Sequence, residues 1–149
     1  MQWTLAHIGG RSGTRDPLDP SVQLYLGRCA PVARCDTQAF KTEAALLENL
    51  DRPQGRTSTV PVLLDSRGRS LTSEAFAAWL GARRDEGTQH ILFAIGPANG
   101  WSDTARARAK LLLSLGSFTV AHTLARLVLA EQLYRATTIL TGHPYHSGH

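Results

Sequence analysis

The sequence is poor in cysteine and in long hydrophobic runs, and both shortages exclude classes of protein. Its two cysteines, Cys29 and Cys35, have no further ligands at zinc-site spacing, so we expect reduced, partly buried thiols. The uncharged stretch 111–125 is too short for a bilayer-spanning helix, which needs about 20 apolar residues. Residues 1–10 lack the basic and the long apolar segments of a secretory signal. We therefore expect a cytoplasmic protein that does not enter a membrane.

Signature motifs of several enzyme classes are also absent. The glycines of 96–100 are not followed by the Gly-Lys-Ser/Thr of a phosphate-binding loop, and no dinucleotide-binding fingerprint occurs. A small-molecule enzyme with paired carboxylates is not favoured, because the acidic residues of the C-terminal half do not cluster in sequence. No group of ligand-type residues predicts a metal site.

Lysine is the third scarce residue. Of 16 basic residues only Lys41 and Lys110 are lysine, and the net charge is +4. The planar arginine side chain suits phosphate oxygens and stacks on bases. High arginine usage can also follow from genomic base composition, so the positive charge is compatible with an RNA partner without requiring one.

Alternating patterns of strand and helix predict an α/β fold in a single domain over 1–149. The length and an apolar content of 42% are sufficient for one hydrophobic core. Strand patterns occur at 3–8, 32–40, 60–65, 90–95 and 111–115. Helix patterns occur at 19–26, 42–50, 72–84, from 102 onward and at 120–140. Strand–helix–strand units in this order favour a parallel sheet flanked by helices on both faces.

Local signals predict where several elements begin and end. Thr72 and Ser102 are expected to cap helices, because their hydroxyls can accept hydrogen bonds from free backbone N–H groups. Thr119 is expected to cap the longest helix, which Gly142 and the following proline should end. Residues 66–69 are predicted to form a turn.

Five phrases in the C-terminal half carry a family resemblance. They are FAIG, ANGWSD, LSLGSFTVAHTLAR, LAEQLYRA and HPYH, in this order between residues 93 and 146. The chain resembles the small SPOUT-class methyltransferases of the RlmH type, most strongly over 60–146. The resemblance implies S-adenosylmethionine as cofactor and N3 of a pseudouridine in helix 69 of 23S ribosomal RNA, on assembled ribosomes, as methyl acceptor.

The same resemblance implies a C-terminal trefoil knot and a homodimer. Nothing in composition or spacing indicates a knot, and true knots are very rare. In the family, the helix at 120–140 packs against its twin in an isologous dimer. A single large contact within one chain is the alternative for this widely apolar helix.

The resemblance also places the cofactor at three strand ends, where ligands of open α/β sheets bind. The implied contacts are Leu64, Gly96, Leu115, Gly116, Ser117, Phe118, Thr119 and Val120. Leu, Phe and Val faces suit adenine, and glycines let the backbone approach a ligand closely. The alternative is that the two glycines only form turns and that Phe118 is a core residue.

The C-terminal tail carries Tyr145 and His146, although free termini are usually polar. We therefore expect both side chains to be docked, either closing over the pocket or touching the substrate base. Arg135 completes the catalytic set, and it is also expected to pair with Glu131 four residues earlier. His146 is the first choice as proton acceptor. His122 is expected to be a hydrogen-bonded core histidine, with catalysis as the alternative.

Three positions depart from the pattern of the resembled family. Pro97 replaces a glycine, Gly116 replaces a serine, and Ser147 stands where a basic residue or histidine is usual. Proline removes one backbone donor, whereas the carbonyl groups at positions 97 and 116 are kept, so we expect cofactor binding to survive. A noncatalytic ribosome- or RNA-binding protein on the same fold is therefore the alternative function.

Overall fold

The computed structural model describes residues 1–9, 16–53 and 55–148, in which a five-stranded sheet lies between two layers of helices. The strands are β1 (Gln2–Ile8), β2 (Arg34–Phe40), β3 (Val60–Ser70), β4 (His90–Ile95) and β5 (Leu111–Ser114). The helices are α1 (Asp19–Gly27), α2 (Glu43–Asp51), α3 (Ser73–Asp85), α4 (Asp103–Arg108) and α5 (His122–Thr141), followed by a 3-10 turn at His146–Gly148. The strand order is β2-β1-β4-β3-β5, with parallel pairing throughout. The predicted α/β class and parallel sheet are confirmed.

The sheet buries apolar side chains on both faces. One face packs against α1, α3 and α5 through Trp3, Leu5, Val62, Ile91 and Phe93. The other face packs against α2 and α4 through Ala6, Leu63, Leu92 and Ala94. Each fully buried Leu, Ile or Phe side chain contributes roughly 1.5–3 kcal/mol to folding. Among the described residues, none of the helices combines the length and apolar character that a bilayer span needs.

Helix α5 lies between α1 and α3, so it is buried on several sides within one chain. Arg126 in its second turn is only 1% exposed. Its Nη1 donates to Asp16 Oδ2 at 3.1 Å and to Asp19 Oδ1 at 3.3 Å. The other oxygen of Asp16 accepts from the Leu18 backbone N–H at 2.9 Å. This buried ion pair fastens the start of α5 to the start of α1.

The predicted helix caps are confirmed at two of three positions. Thr72 and Ser102 accept from backbone N–H groups three residues on, at 3.0 and 3.1 Å. Gly142 ends α5 in the left-handed conformation, as predicted. The prediction for Thr119 is wrong, because α5 begins at His122 and residues 115–121 carry the chain across from the edge of the sheet.

The turn predicted at 66–69 is also wrong. Strand β3 continues through these residues, because Arg69 and Ser70 pair with Leu113 and Ser114 of β5. The pairing shifts register after Leu64, which marks a bulge in β3. A bulge depends on the partner strand, so the turn-type residues Ser66 to Arg69 misled a local prediction.

The close contact between β3 and β5 requires Gly68. A Cβ added there would lie 2.5 Å from the carbonyl oxygen of Leu112. Overpacking against backbone costs about 1–3 kcal/mol, so Gly68→Ala should lower the free energy of unfolding in urea by that amount. Gly27→Ala is the matched control, because a Cβ at Gly27 meets nothing within 4 Å. Equal unfolding midpoints for the two variants would contradict the close contact.

Candidate active site

The carboxyl ends of β4, β3 and β5 lie side by side and open into two clefts. The first cleft, of about 350 Å³, lies between the end of β5, the start of α3 and α5. The second, of about 400 Å³, lies between the loop after β4 and the middle of β3. Both volumes fall in the range of small-molecule sites. Leu115 and Gly116 line the first cleft, and Leu64 and Gly96 line the second.

The remaining predicted cofactor residues lie in the segment 115–121, which forms neither helix nor strand. Ser117, Phe118 and Thr119 are exposed, and Val120 is half-buried. Phe118 is 92% exposed, so the alternative of a core phenylalanine is wrong. The structure therefore brings four predicted residues to the clefts and leaves four on the surface beside them.

Gly96 is explained by Trp101. A Cβ at Gly96 would lie 2.7 Å from the indole ring of Trp101, and the indole Nε1 donates to the Leu64 carbonyl at 2.9 Å. The glycine therefore makes room for a tryptophan that joins β3 to β4. Gly116 differs, since its φ is +123° and a Cβ would meet nothing within 4 Å. Trp101 lies in the phrase ANGWSD, but the sequence alone predicted no role for it.

The C-terminal tail is docked, as its aromatic content predicts. Tyr145 Oη donates to Glu131 Oε1 at 3.0 Å, and its ring centroid lies 4.6 Å from that of Tyr134. Arg135 donates to the same oxygen of Glu131 at 2.6 and 3.0 Å, which confirms the predicted helix pair. Burial and the hydrogen bond to Glu131 raise the pKa of Tyr145 to about 12. Tyr145 is therefore a hydrogen-bond donor at neutral pH.

His146 lies between Arg135 and Glu74. Its Nδ1 is 2.9 Å from Arg135 Nη1, and its Nε2 is 2.6 Å from Glu74 Oε1. A guanidinium only donates, so neutral His146 accepts at Nδ1 and donates its proton at Nε2 to Glu74. This hydrogen bond holds the pKa of Glu74 below its ordinary value. Both ring nitrogens are occupied, so His146 must release Arg135 before it can accept a proton.

A chain of hydrogen bonds connects the tail to the first cleft. Glu131 Oε2 accepts from Gln132 Nε2 at 2.9 Å, and Gln132 Oε1 accepts from Ser73 Oγ at 2.7 Å. Gln132 and Ser73 line the first cleft, whereas Tyr145 and His146 are not part of its lining. Sequence reasoning missed Ser73 and Gln132, and it assigned no role in the site to Glu74. No local pattern indicates these contacts, because they join α3, α5 and the tail.

His122 begins α5 and packs against His7, with ring centroids 5.1 Å apart. Its Nε2 is buried without a hydrogen-bond partner in the described part of the chain, which contradicts the expectation of a hydrogen-bonded histidine at that nitrogen. Burial, followed by the nearby His7 and Arg126, lowers the pKa of His122. Across residues 1–9, 16–53 and 55–148, no three potential metal ligands converge.

Comparison with known proteins gives a consistent result. A family model described as "Predicted SPOUT methyltransferase" matches residues 1–146. A protein of Koribacter versatilis named Ribosomal RNA large subunit methyltransferase H is 50% identical over 84% of this chain and 85% of its own length. A protein of the same name from Rhizobium leguminosarum is 44% identical over 85% of this chain and 79% of its own.

One solved structure is a more distant match. The SpoU methyltransferase AviRb from Streptomyces viridochromogenes, in complex with AdoMet, is 14% identical with a TM-score of 0.48. The match covers 89% of this chain and 56% of that one.

The tail network predicts the titration of Tyr145. Its raised pKa stabilises the fold at pH values below about 10, and this stabilisation is lost as the pH rises through about 12. The difference in tyrosinate absorbance between the wild type and Tyr145→Phe reports the titration of Tyr145. It should therefore have its midpoint near pH 12. Glu131→Gln removes the acceptor charge and should lower that midpoint, whereas Glu48→Gln on the exposed face of α2 should leave it unchanged. A wild-type midpoint near 10, with circular dichroism showing a folded chain, would contradict the docked tail.

Proposed function

This chain belongs to the SPOUT methyltransferase family, and on that premise we propose that it methylates N3 of a pseudouridine in helix 69 of 23S ribosomal RNA. S-adenosylmethionine is the proposed methyl donor, and the assembled ribosome is the proposed substrate. The observation that carries the proposal is the match, over 84% and 85% of this chain, to proteins named for methylation of large-subunit ribosomal RNA. The particular nucleotide follows from the resemblance of the phrases between residues 93 and 146.

The first cleft fits the nucleoside part of this donor. Phe76, Leu115 and Leu129 supply apolar walls that suit adenine. Ser73 and Gln132 supply a hydroxyl and an amide that can meet polar groups of a ribose. The chemistry of the lining and the volume of the cleft therefore support a nucleoside-based cofactor.

The residues proposed to contact the cofactor are distributed over both clefts. Gly116 lies next to open space at the first cleft, and Leu64 and Gly96 extend the set into the second. Ser117, Phe118, Thr119 and Val120 complete it from the exposed segment. When bound, S-adenosylmethionine supplies an electrophilic methyl group on its sulfonium.

In the proposal, residues of the tail and of α5 orient the substrate base and accept its N3 proton. In the proposal Tyr145 donates a hydrogen bond, because its pKa of about 12 keeps the phenol protonated. His146 accepts the N3 proton at Nδ1 after that nitrogen separates from Arg135. The separated Arg135 is then available for an RNA phosphate or for the carboxylate of the methyl donor. The proposal thus requires the tail to shift when substrate binds.

We propose that two copies of the chain pair through the surface around α5. Leu24, Phe118 and Leu124 are exposed by 51%, 92% and 45%, and they are large apolar side chains outside the core. An isologous interface would cover them and would bring the segment 115–121 against the partner. The trefoil knot remains a prediction from the resemblance.

The dimer has a direct test. Leu124→Arg places a charge in the proposed interface and should convert a sedimenting dimer to a monomer. Ala44→Arg on the exposed face of α2 adds the same charge to the opposite layer, so this control should remain dimeric. A wild-type protein that sediments as a monomer at micromolar concentration would contradict the dimer.

The alternative of a noncatalytic RNA-binding protein rests on the three departures from the family pattern. The structure accommodates Pro97, whose carbonyl accepts from the Gly100 N–H at 2.9 Å in an intact turn. Gly116 keeps its place on the lining of the first cleft. Neither observation favours the RNA-binding alternative, and methyl transfer is the function that we propose.

Transfer of a labelled methyl group from S-adenosylmethionine tests the proposal, with unmodified ribosomes and free 23S RNA as acceptors. We expect incorporation into ribosomes at one pseudouridine. Loss of a general base typically costs 10²–10⁴-fold in rate, so His146→Ala should lower kcat by about that factor. Ser147→Ala is the tail control and should stay active.

Each other outcome has a defined meaning. A folded protein that fails to bind S-adenosylmethionine would overturn the methyltransferase proposal in favour of the RNA-binding alternative. Cofactor binding without incorporation into either acceptor would overturn only the assignment of the substrate. Full activity of His146→Ala would remove His146 as the base.

A further inference from the structure

A groove of about 390 Å³ beside the edge strand β5 is lined by cationic side chains. These are Arg67, Arg69, Arg106 and Lys110, and the rest of the lining is Gly68, Ala109, Leu111 and Leu112. We call this lining the basic groove. It draws its charges from the bulged part of β3, from α4 and from the residue that precedes β5.

The bulge in β3 builds one side of the groove. Beyond the register shift, β3 still pairs with β5, and Gly68 allows the two backbones to approach closely at Leu112. Arg67 and Arg69 flank this glycine and are exposed. On the other side, the Lys110 backbone N–H donates to the Pro61 carbonyl at 2.8 Å, which fixes the start of β5. The backbone that carries Arg67, Arg69 and Lys110 is therefore fixed by contacts between β3 and β5.

Two of the four cations in the groove lie beside carboxylates of the described residues and two do not. Arg106 lies 3.5 Å from Asp103. Asp65 lies 3.2 Å from Arg106 and 3.7 Å from Arg67, and its side chain is only 6% exposed. Arg69 and Lys110 form no ion pair with any acidic side chain in the described ranges. A concave surface with unpaired cations concentrates a positive potential and attracts polyanions.

Some arginines elsewhere on the surface are paired with carboxylates. Arg52 pairs with Glu48, and Arg108 pairs with Asp51 at 2.8 Å. Paired arginines of this kind add little net potential. The groove differs from these paired positions because it brings Arg69 and Lys110, which have no carboxylate partner among the described residues, into one concave surface.

The basic groove continues into the candidate active site. Arg67 lines both the groove and the second cleft, where Leu64 and Gly96 lie. A nucleotide held at the cleft would bring the adjoining phosphates of its strand to the groove. Arginine and lysine contacts to phosphate fix the register of a nucleic acid without reading its sequence.

We propose that the basic groove binds the sugar–phosphate backbone of the substrate RNA beside the nucleotide that is methylated. The proposal rests on the proposed function for its substrate, and it adds a surface that positions this substrate. Arg69 and Lys110 are the main contacts, because they are exposed and carry no competing carboxylate. Arg67 and Arg106 contribute from the wall shared with Asp65.

The test is binding of a 23S ribosomal RNA stem-loop at several salt concentrations, measured by fluorescence anisotropy. For single strands, the logarithm of the binding constant falls with that of salt by about 0.7 for each neutralised phosphate. The double variant Arg69→Gln/Lys110→Gln should therefore reduce the magnitude of the slope by about 1.4 and weaken binding about tenfold or more at low salt.

The matched control is Arg34→Gln/Lys41→Gln. It removes the same charge beside β2, at the opposite edge of the sheet, where both side chains are exposed. This control should keep the wild-type slope. With ribosomes as substrate, the groove variant should raise KM and leave kcat and the affinity for S-adenosylmethionine unchanged.

The outcomes separate this proposal from the function it rests on. Equal slopes for wild type, groove variant and control would overturn the groove even if the wild type methylates ribosomes. Equal losses in groove variant and control would overturn it in favour of a general charge effect. A wild type without methyl transfer, whose RNA binding still depends on Arg69 and Lys110, would overturn the proposed function and support the groove.

Discussion

The buried ion pair between Arg126 and the two aspartates at the start of α1 is the contact on which the arrangement of this molecule depends. A guanidinium without its partners is costly to bury, and removal of one partner from such a pair costs about 3–5 kcal/mol. The pair fixes the first turns of α5 against α1, while the apolar face of α5 packs on α3 and the sheet. This contact therefore holds the end of the exposed segment 115–121 in place. It also positions Glu131 and Arg135, the α5 residues that bind the tail.

The tail network shows how one carboxylate can serve several groups at once. Glu131 accepts from Tyr145, Arg135 and Gln132, and so it joins the tail to a wall of the first cleft. His146 is held in a single tautomer by a donor on one side and an acceptor on the other. The side chain proposed as base is therefore positioned but engaged in this state, and its reactivity depends on a rearrangement of contacts that the network itself defines.

Sequence reasoning succeeded where the controlling interactions are local. The strand at 90–95 and the caps Thr72 and Ser102 depend on neighbouring residues, and the structure reproduces them. It failed at the extension of β3, because Arg69 and Ser70 obtain their hydrogen bonds from β5 far along the chain. The role of Trp101 and the contact of His146 with Glu74, 72 positions apart, were missed for the same reason. The family resemblance supplied the residues of the proposed site, whereas their side-chain contacts required the fold.

The strand order has a consequence for how the chain is made. Strand β1 is synthesised first, yet it lies between β2 and β4, and β3 lies between two strands that follow it. Such pairings between distant segments carry a large loop-closure entropy and form slowly. The core that includes Val22, Phe76 and Leu133 gains its last members only from β5 and α5. A ribosome must therefore deliver most of this chain before the hydrophobic core can close, so the nascent polypeptide exposes apolar strand surface for most of its synthesis.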